Sequence, residues 1–310
     1  MRRRAALWST IGIVISGVVV VAALAASGTT QVVARIDTGF GPCSETSGFG
    51  ALWVGVNGAG TLVRVDPATN TVTHTIDVGA GPCGVAIGAG SVWVDGYASR
   101  SVIRVDPARV KIVKRIALRE RVWDVAYGAG AVWATETSLG NVVRINPKTN
   151  RVTRRIKIKG YAAPANLRYG GGAAWVGSLY GRRVFRVDAR TNKVTTVRVG
   201  DAPRSLALTK DSAWVSNNNS NTVSRIDLKT RKVVATIHVG QAPENAAVAE
   251  DGTVFVPNVG SDTVSRIDPA TNTVVETIAV GTKPFPAAFA FGDIWVPSSG
   301  GNELYRLHVG

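Results

Sequence analysis

The chain has 310 residues, 45% of them hydrophobic and 7% aromatic, with a formal net charge of +15. That hydrophobic share is enough to bury a large core. Two cysteines, Cys43 and Cys83, stand 40 residues apart outside any C-x-x-C pattern, which disfavours zinc-finger and thioredoxin-like chemistry.

The first 30 residues differ from the rest. Arg2, Arg3 and Arg4 precede an apolar run over residues 5–26, and no acidic residue appears before Asp37. This pattern predicts export, either by a signal peptide cleaved among the small residues Ala23, Ala25, Ala26, Ser27 and Gly28 or through an uncleaved N-terminal membrane anchor. In both cases the positive-inside rule puts residues 31–310 outside the cytoplasmic membrane.

Residues 31–310 are a repeat. An aromatic in a β-rich tetrad recurs at Trp53, Trp93, Trp133, Trp175, Trp214, Phe255 and Trp295, with steps of 40, 40, 42, 39, 41 and 40. About 11 residues later comes an Arg-x-Asp/Asn marker, beginning at Arg64, Arg104, Arg144, Arg186, Arg225 and Arg266, with a degraded copy at Arg306. Each copy holds four strand-like runs, as at 204–208, 212–216, 222–227 and 232–239. Turn-forming Asp-Pro-Ala-Thr-Asn at 66–70 and 268–272 and Gly-x-x-Pro joints punctuate them. Four short strands in each of seven copies predict an all-β, seven-bladed β-propeller of antiparallel sheets. The last copy stops after its third strand, and 32–38 reads as an orphan fourth strand that closes the last blade and removes an open edge.

Asn221-Thr222-Val223-Ser224-Arg225-Ile226-Asp227, followed by Val233-Val234-Ala235-Thr236-Ile237, resembles the YVTN-type propeller repeat, as does 262–268 with 271–281. The chain also looks like the virginiamycin B lyase (streptogramin lyase) group, which shares a seven-bladed propeller. The first resemblance implies extracytoplasmic binding proteins. The second implies a lyase opening cyclic depsipeptides with a general-base His, acidic partners and Mg²⁺ at the channel mouth. Here His74 and His238 fall in fourth strands and His308 in a third strand, so no catalytic residue is carried over.

Residues present in every copy serve the blade: the Trp in the core, and the Arg in a pair with the Asp two positions on, which shares its strand face. A site breaks the repeat. In the segments that lead into first strands, or join second to third strands, the individual residues are Glu45, Trp123, Asp124, Asn166, Arg204, Glu244 and Asn245, with Asp95, Tyr97, Glu136, Tyr180, Asn217 and Asn258. Such a collection at one mouth predicts a site for a small polar ligand or a protein, or for a hard cation such as Mg²⁺ under the lyase reading. Cys43 and Cys83 hold the same position in adjacent blades, and are either a disulfide or two partly buried thiols.

The net charge falls to +12 without Arg2, Arg3 and Arg4, and residues 100–160 hold 15 Lys and Arg against 4 acids. This flank, with Arg155, Lys157 and Lys159 alternating onto one face, suits docking to an anionic envelope surface or serves to block edge-to-edge pairing. No aromatic platform interleaves it, and export argues against nucleic acid. No phosphate loop, Ser/His/Asp arrangement or cofactor signature is present, and a closed propeller is expected to stand as a monomer.

Overall fold

In each copy the second strand is the most buried, because its neighbours on both sides are strands and its aromatic fills the space between adjacent sheets. Trp53, Trp93, Trp133, Trp175, Trp214, Phe255 and Trp295 all lie in second strands and are buried. In the computed structural model, which describes residues 29–79, 81–160 and 163–310, these strands belong to seven four-stranded antiparallel sheets. Numbered from the first aromatic, the blades are a seven-bladed propeller with first strands innermost around a channel. The core lies between blades: Trp53 packs with Val92 and Val94 of blade two, and Trp133 with Val176 and Phe185 of blade four.

The ring closes as the orphan strand implies. Gln31–Asp37 pairs antiparallel with Glu303–His308 and becomes the outer strand of blade seven. The stretch 1–28, with its expected signal or anchor, lies outside the described residues.

The repeated Arg has a different partner from the one expected. Each pairs in register opposite its blade's aromatic, as Arg104 does Trp93 and Arg225 does Trp214. In blades two, three, five, six and seven the guanidinium lies over the ring, 4.8 Å away for Arg225 and 4.9 Å for Arg306. In blades two, three, five and seven it then donates to the turn between third and fourth strands of the next blade, whereas Arg64 reaches Thr73 and Arg266 reaches Glu276 within their own blades. Arg225 reaches the Pro269 carbonyl at 2.6 Å and Asn272 Oδ1 at 2.9 Å, and Arg306 reaches Pro67 O and Asn70 Oδ1 across the closure. The Asp two residues on turns to its own loop: Asp66 Oδ1 accepts the Ala68 N–H at 2.8 Å, and Asp268 does the same for Ala270. Arg186, 3.5 Å from Asp188, keeps the within-blade pair. Arg225→Ala should therefore lower unfolding free energy by about 2 kcal/mol, and Arg186→Ala by less than about 1 kcal/mol, in urea titrations.

The pairing of third with fourth strands shifts register at this Arg in blades one, two, three, five, six and seven. The extra residue turns outward, so Val33, Val113, Val234 and Val275 are exposed. Such bulges twist the outer edge and blunt its pairing with another sheet.

Candidate functional site

Two ends of the channel follow from chain order. The upper end gathers the inter-blade connections and the loops joining second to third strands. The lower end gathers the first-to-second and third-to-fourth turns. The individual residues of the repeat divide among the upper mouth, the channel wall and the interior of the blades.

At the upper mouth, Cys43 and Cys83 form a disulfide that ties the first strand of blade one, Pro42–Gly48, to the connection leading into blade two, with Cα atoms 5.1 Å apart. Beside it lies a hollow of about 540 Å³ lined by Phe40, Asp95, Tyr97, Trp123, Lys283 and Phe285. Asp95 is buried; its Oδ1 accepts the Cys83 N–H at 2.6 Å, and its Oδ2 has no hydrogen-bond partner. Burial pushes its carboxyl well above the usual carboxylate range, and the Asp124 charge adds to this against the amides of Cys83 and Gly84. Tyr97 and Trp123 meet edge to face at 5.8 Å, and the Arg121 guanidinium sits 5.2 Å from the Tyr97 ring.

The same two rings line a second hollow, of about 710 Å³, toward blade four, with Arg121, Lys157, Lys159 and Tyr180. Trp123 is half-buried, whereas Trp53, Trp93, Trp133, Trp175, Trp214 and Trp295 are buried in the core.

Other residues of the expected set are spent inside the fold. Asp124 clamps blades three and four, accepting the Leu167 N–H at 2.9 Å and the Arg168 guanidinium at 2.8 Å. Glu136 accepts the Arg119 N–H, the Asn141 amide and Arg155, and these partners hold its carboxyl below the usual range against the burial that raises it. Asn217 and Asn258 each donate to two hydroxyls of the neighbouring third strand. Asn166 is buried in the first strand of blade four. Glu244 is buried with Asn218 Nδ2 at 3.1 Å, Ser205 Oγ at 3.3 Å and Arg204 at 3.8 Å. Burial raises its pKa to about 7, against the opposing pull of Arg204 and Ser205.

Glu45 and Asn245 sit on the channel wall, below the mouth. Their neighbour there, Arg168, is a residue that the loop-based reading passes over. It faces Trp175 in register, where other blades place Thr46, Ala86, Ala126, Ala207, Ala247 and Ala288 opposite their aromatic. A long cation at a position otherwise small was the available signal. Lys283 shows the same signal: the residue before the inter-blade Pro is Gly41, Gly81, Ala163, Ala202 or Ala242 elsewhere.

Of the basic residues in 100–160, several are tied into the fold. Arg104 and Arg144 staple blades, Arg115 donates to Val78 O, Arg155 to Glu136 and Lys157 to Leu139 O. Lys111, Lys114, Arg151 and Arg154 lie on outer strands.

The histidines do not line the hollows of the upper mouth. His74 and His238 are on outer strands, and His308 Nδ1 lies 2.7 Å from Asp293 Oδ1. Among the described residues, no three His, Cys, Asp or Glu side chains converge to hold a metal ion. The residues present do not fit the Mg²⁺ that the lyase resemblance implies, and no chemical step is derived through one.

A model of a repeat of unknown function (DUF6923) matches residues 87–212. No curated protein sequence matches the chain. Among solved structures, the hydrazine synthase of Kuenenia stuttgartiensis is similar with TM-score 0.78 at 15% identity, over 87% of this chain and 96% of that one. The selenomethionine-substituted virginiamycin B lyase of Staphylococcus aureus is similar with TM-score 0.80 at 14% identity, over 91% of this chain and all of that one. A catalytically inactive histidine-to-alanine form of that lyase with quinupristin gives 0.81 at 16% identity, again over 91% of this chain and all of that one. Proteins with unlike names share this shape at such low identity, so the likeness establishes the seven-bladed propeller, similar in fold to virginiamycin B lyase, and its chemistry is not transferred.

Proposed function

We propose that the chain is an exported binding propeller whose upper mouth holds an anionic ligand bearing a sugar or aromatic ring. The observation that carries this reading is the Tyr97–Trp123 pair, shared by two adjoining hollows and flanked by Arg121, Lys157, Lys159 and Lys283. Rings give stacking faces for a ligand ring, and surrounding cations attract and orient an anion. The disulfide fixes one wall of the mouth, which limits the ordering cost of binding. Export rests on the N-terminal pattern of Arg2, Arg3, Arg4 and the apolar run after them.

The test titrates the full chain with acidic oligosaccharides and their neutral counterparts while following tryptophan emission. Trp123 is the half-buried indole among the described residues, so it should report the ligand. The acidic ligand is expected to shift emission and to bind more weakly as salt rises. Trp123→Ala should weaken binding about tenfold, in keeping with loss of one stacking contact of about 1.4 kcal/mol. Equal binding of neutral and acidic ligands, or an unchanged Trp123→Ala, would reject the site.

A further inference from the structure

The channel wall below the mouth carries three acceptor atoms that have no donor. Glu45 lies on the first strand of blade one and is 6% exposed, and neither of its carboxylate oxygens has a hydrogen-bond partner. The amides of Ala288 and of Glu45 itself are near enough to influence it without forming an aligned bond. Asn245, 3% exposed, donates through Nδ2 to Ala246 O at 3.3 Å; this fixes the sense of the amide and leaves Oδ1 without a donor. Both residues line one cavity of about 370 Å³, walled by residues of all seven blades.

The cation nearest to hand is already engaged. Arg168 donates to Asp124 Oδ2 at 2.8 Å and to Leu167 O at 2.8 Å, and its charge acts on Glu45 without a hydrogen bond to it. Asp124 and Arg168 thus balance each other; burial raises the Glu45 carboxyl well above the usual carboxylate range against the pull of Arg168, so Glu45 keeps its proton until a bound cation replaces it. The remaining wall is mostly apolar and aromatic, with Ile87, Leu208, Val248, Tyr127, Tyr169 and Phe289. The rings are built in deliberately: a Cβ on Gly88 would lie 2.0 Å from the Tyr127 ring, and one on Gly128 would lie 1.9 Å from that of Tyr169. Each glycine makes room for the next blade's tyrosine.

We propose that this lower channel is a binding site for a small primary amine with an apolar body. An ammonium has three N–H donors and no acceptor, so it suits the Glu45 carboxylate, which gives up its proton to the bulk on binding, with the Asn245 oxygen a further unpartnered acceptor on the same wall. Its charge balances Glu45, and its apolar part packs on the tyrosine and phenylalanine rings, where a cation is also welcome. Among the described residues, no three His, Cys, Asp or Glu side chains gather there to hold a divalent ion.

Isothermal titration of the full chain with benzylamine tests this, with benzyl alcohol as the neutral isostere and sodium chloride as the inorganic cation. The amine should bind at least tenfold more tightly than the alcohol. Glu45→Gln, which keeps the shape and removes the charge, should lose at least tenfold in benzylamine affinity. Leu208→Trp, which fills the cavity and leaves the carboxylate in place, should abolish binding. Circular dichroism and thermal unfolding verify that each variant is folded. Equal affinity for amine and alcohol, an unchanged Glu45→Gln, retained binding in a folded Leu208→Trp, or displacement of the amine by millimolar sodium would overturn the proposal.

Discussion

Deleting residues 31–37 from the chain is expected to cost the propeller about 5 kcal/mol of stability, read as a large fall in the urea midpoint. The strand Gln31–Asp37 supplies the outer ladder of blade seven. It buries Ile36 against Leu52, Val54, Trp295 and Leu304, so it seals the contact between the last blade and the first. Losing a buried Ile costs about 2–5 kcal/mol by itself, and the ladder to Glu303–His308 adds to it. The Arg35 guanidinium, 5.2 Å from the Tyr305 ring, goes too. The deletion also uncovers Glu303–His308 as a new edge, and such edges pair between molecules, so the truncated chain should aggregate at lower concentration. Ile36→Asp gives the same test by a point change, because it puts a charge into that cluster while leaving the backbone ladder. If the deleted chain kept the urea midpoint of the intact one, closure by this strand would not be what holds the ring.

The fold was legible because its core is written seven times. The Trp at second-strand positions and the turn chemistry at 66–70 and 268–272 recur in copy after copy, and each copy faces the same surroundings. The partner of the repeated Arg was not legible. Residues two apart on a strand do share a face, but Asp66 and its equivalents are also the first residues of turns. Their carboxylates are taken by turn N–H groups, and the Arg is left to run over its Trp to the next blade. That contact joins positions 44 residues apart for Arg225 and Pro269 and 239 apart across the closure, and no local spacing reports it.

The site was legible in part for a related reason. Departure from the repeat picks out residues but not their depth. Glu45 looks like a mouth residue, yet the strand begins at Pro42, and three residues of extended chain carry Glu45 about 10 Å down the channel. Asn217 and Asn258 also break the pattern, and their amides serve hydroxyls of the adjacent strand. Tyr97 and Trp123 stand at the mouth together because a blade-two loop and a blade-three first strand converge there, which depends on how adjacent blades pack.

Raising pH from about 5 to about 8 should destabilise the protein by about 3 kcal/mol through Glu244 alone. Burial is the cause: Glu244 lies between blades five and six, 3% exposed, where its charged form loses hydration that Arg204 and Ser205 only partly replace. Its pKa of about 7 in the fold exceeds the ordinary value of 4.5. Between those values the folded state binds the proton and the unfolded state does not. The contribution is therefore complete below pH 4.5 and is lost as pH rises through 7. Glu45, Asp95 and Asp124 are also raised by burial and push in the same direction. The turn residues Asp106, Asp188, Asp227 and Asp268 are lowered by the N–H and hydroxyl groups they accept, and their contribution is lost as pH falls below the usual carboxylate range. Stability should accordingly peak in mildly acidic solution. Urea titrations at pH 5 and pH 8 measure the fall, and in Glu244→Gln it should shrink by about 3 kcal/mol, because the amide has no proton to lose over that range. An equal fall in Glu244→Gln would move the effect to the other buried acids, and Glu45→Gln, which removes the raised carboxyl of the channel, is then the variant in which the slope should flatten.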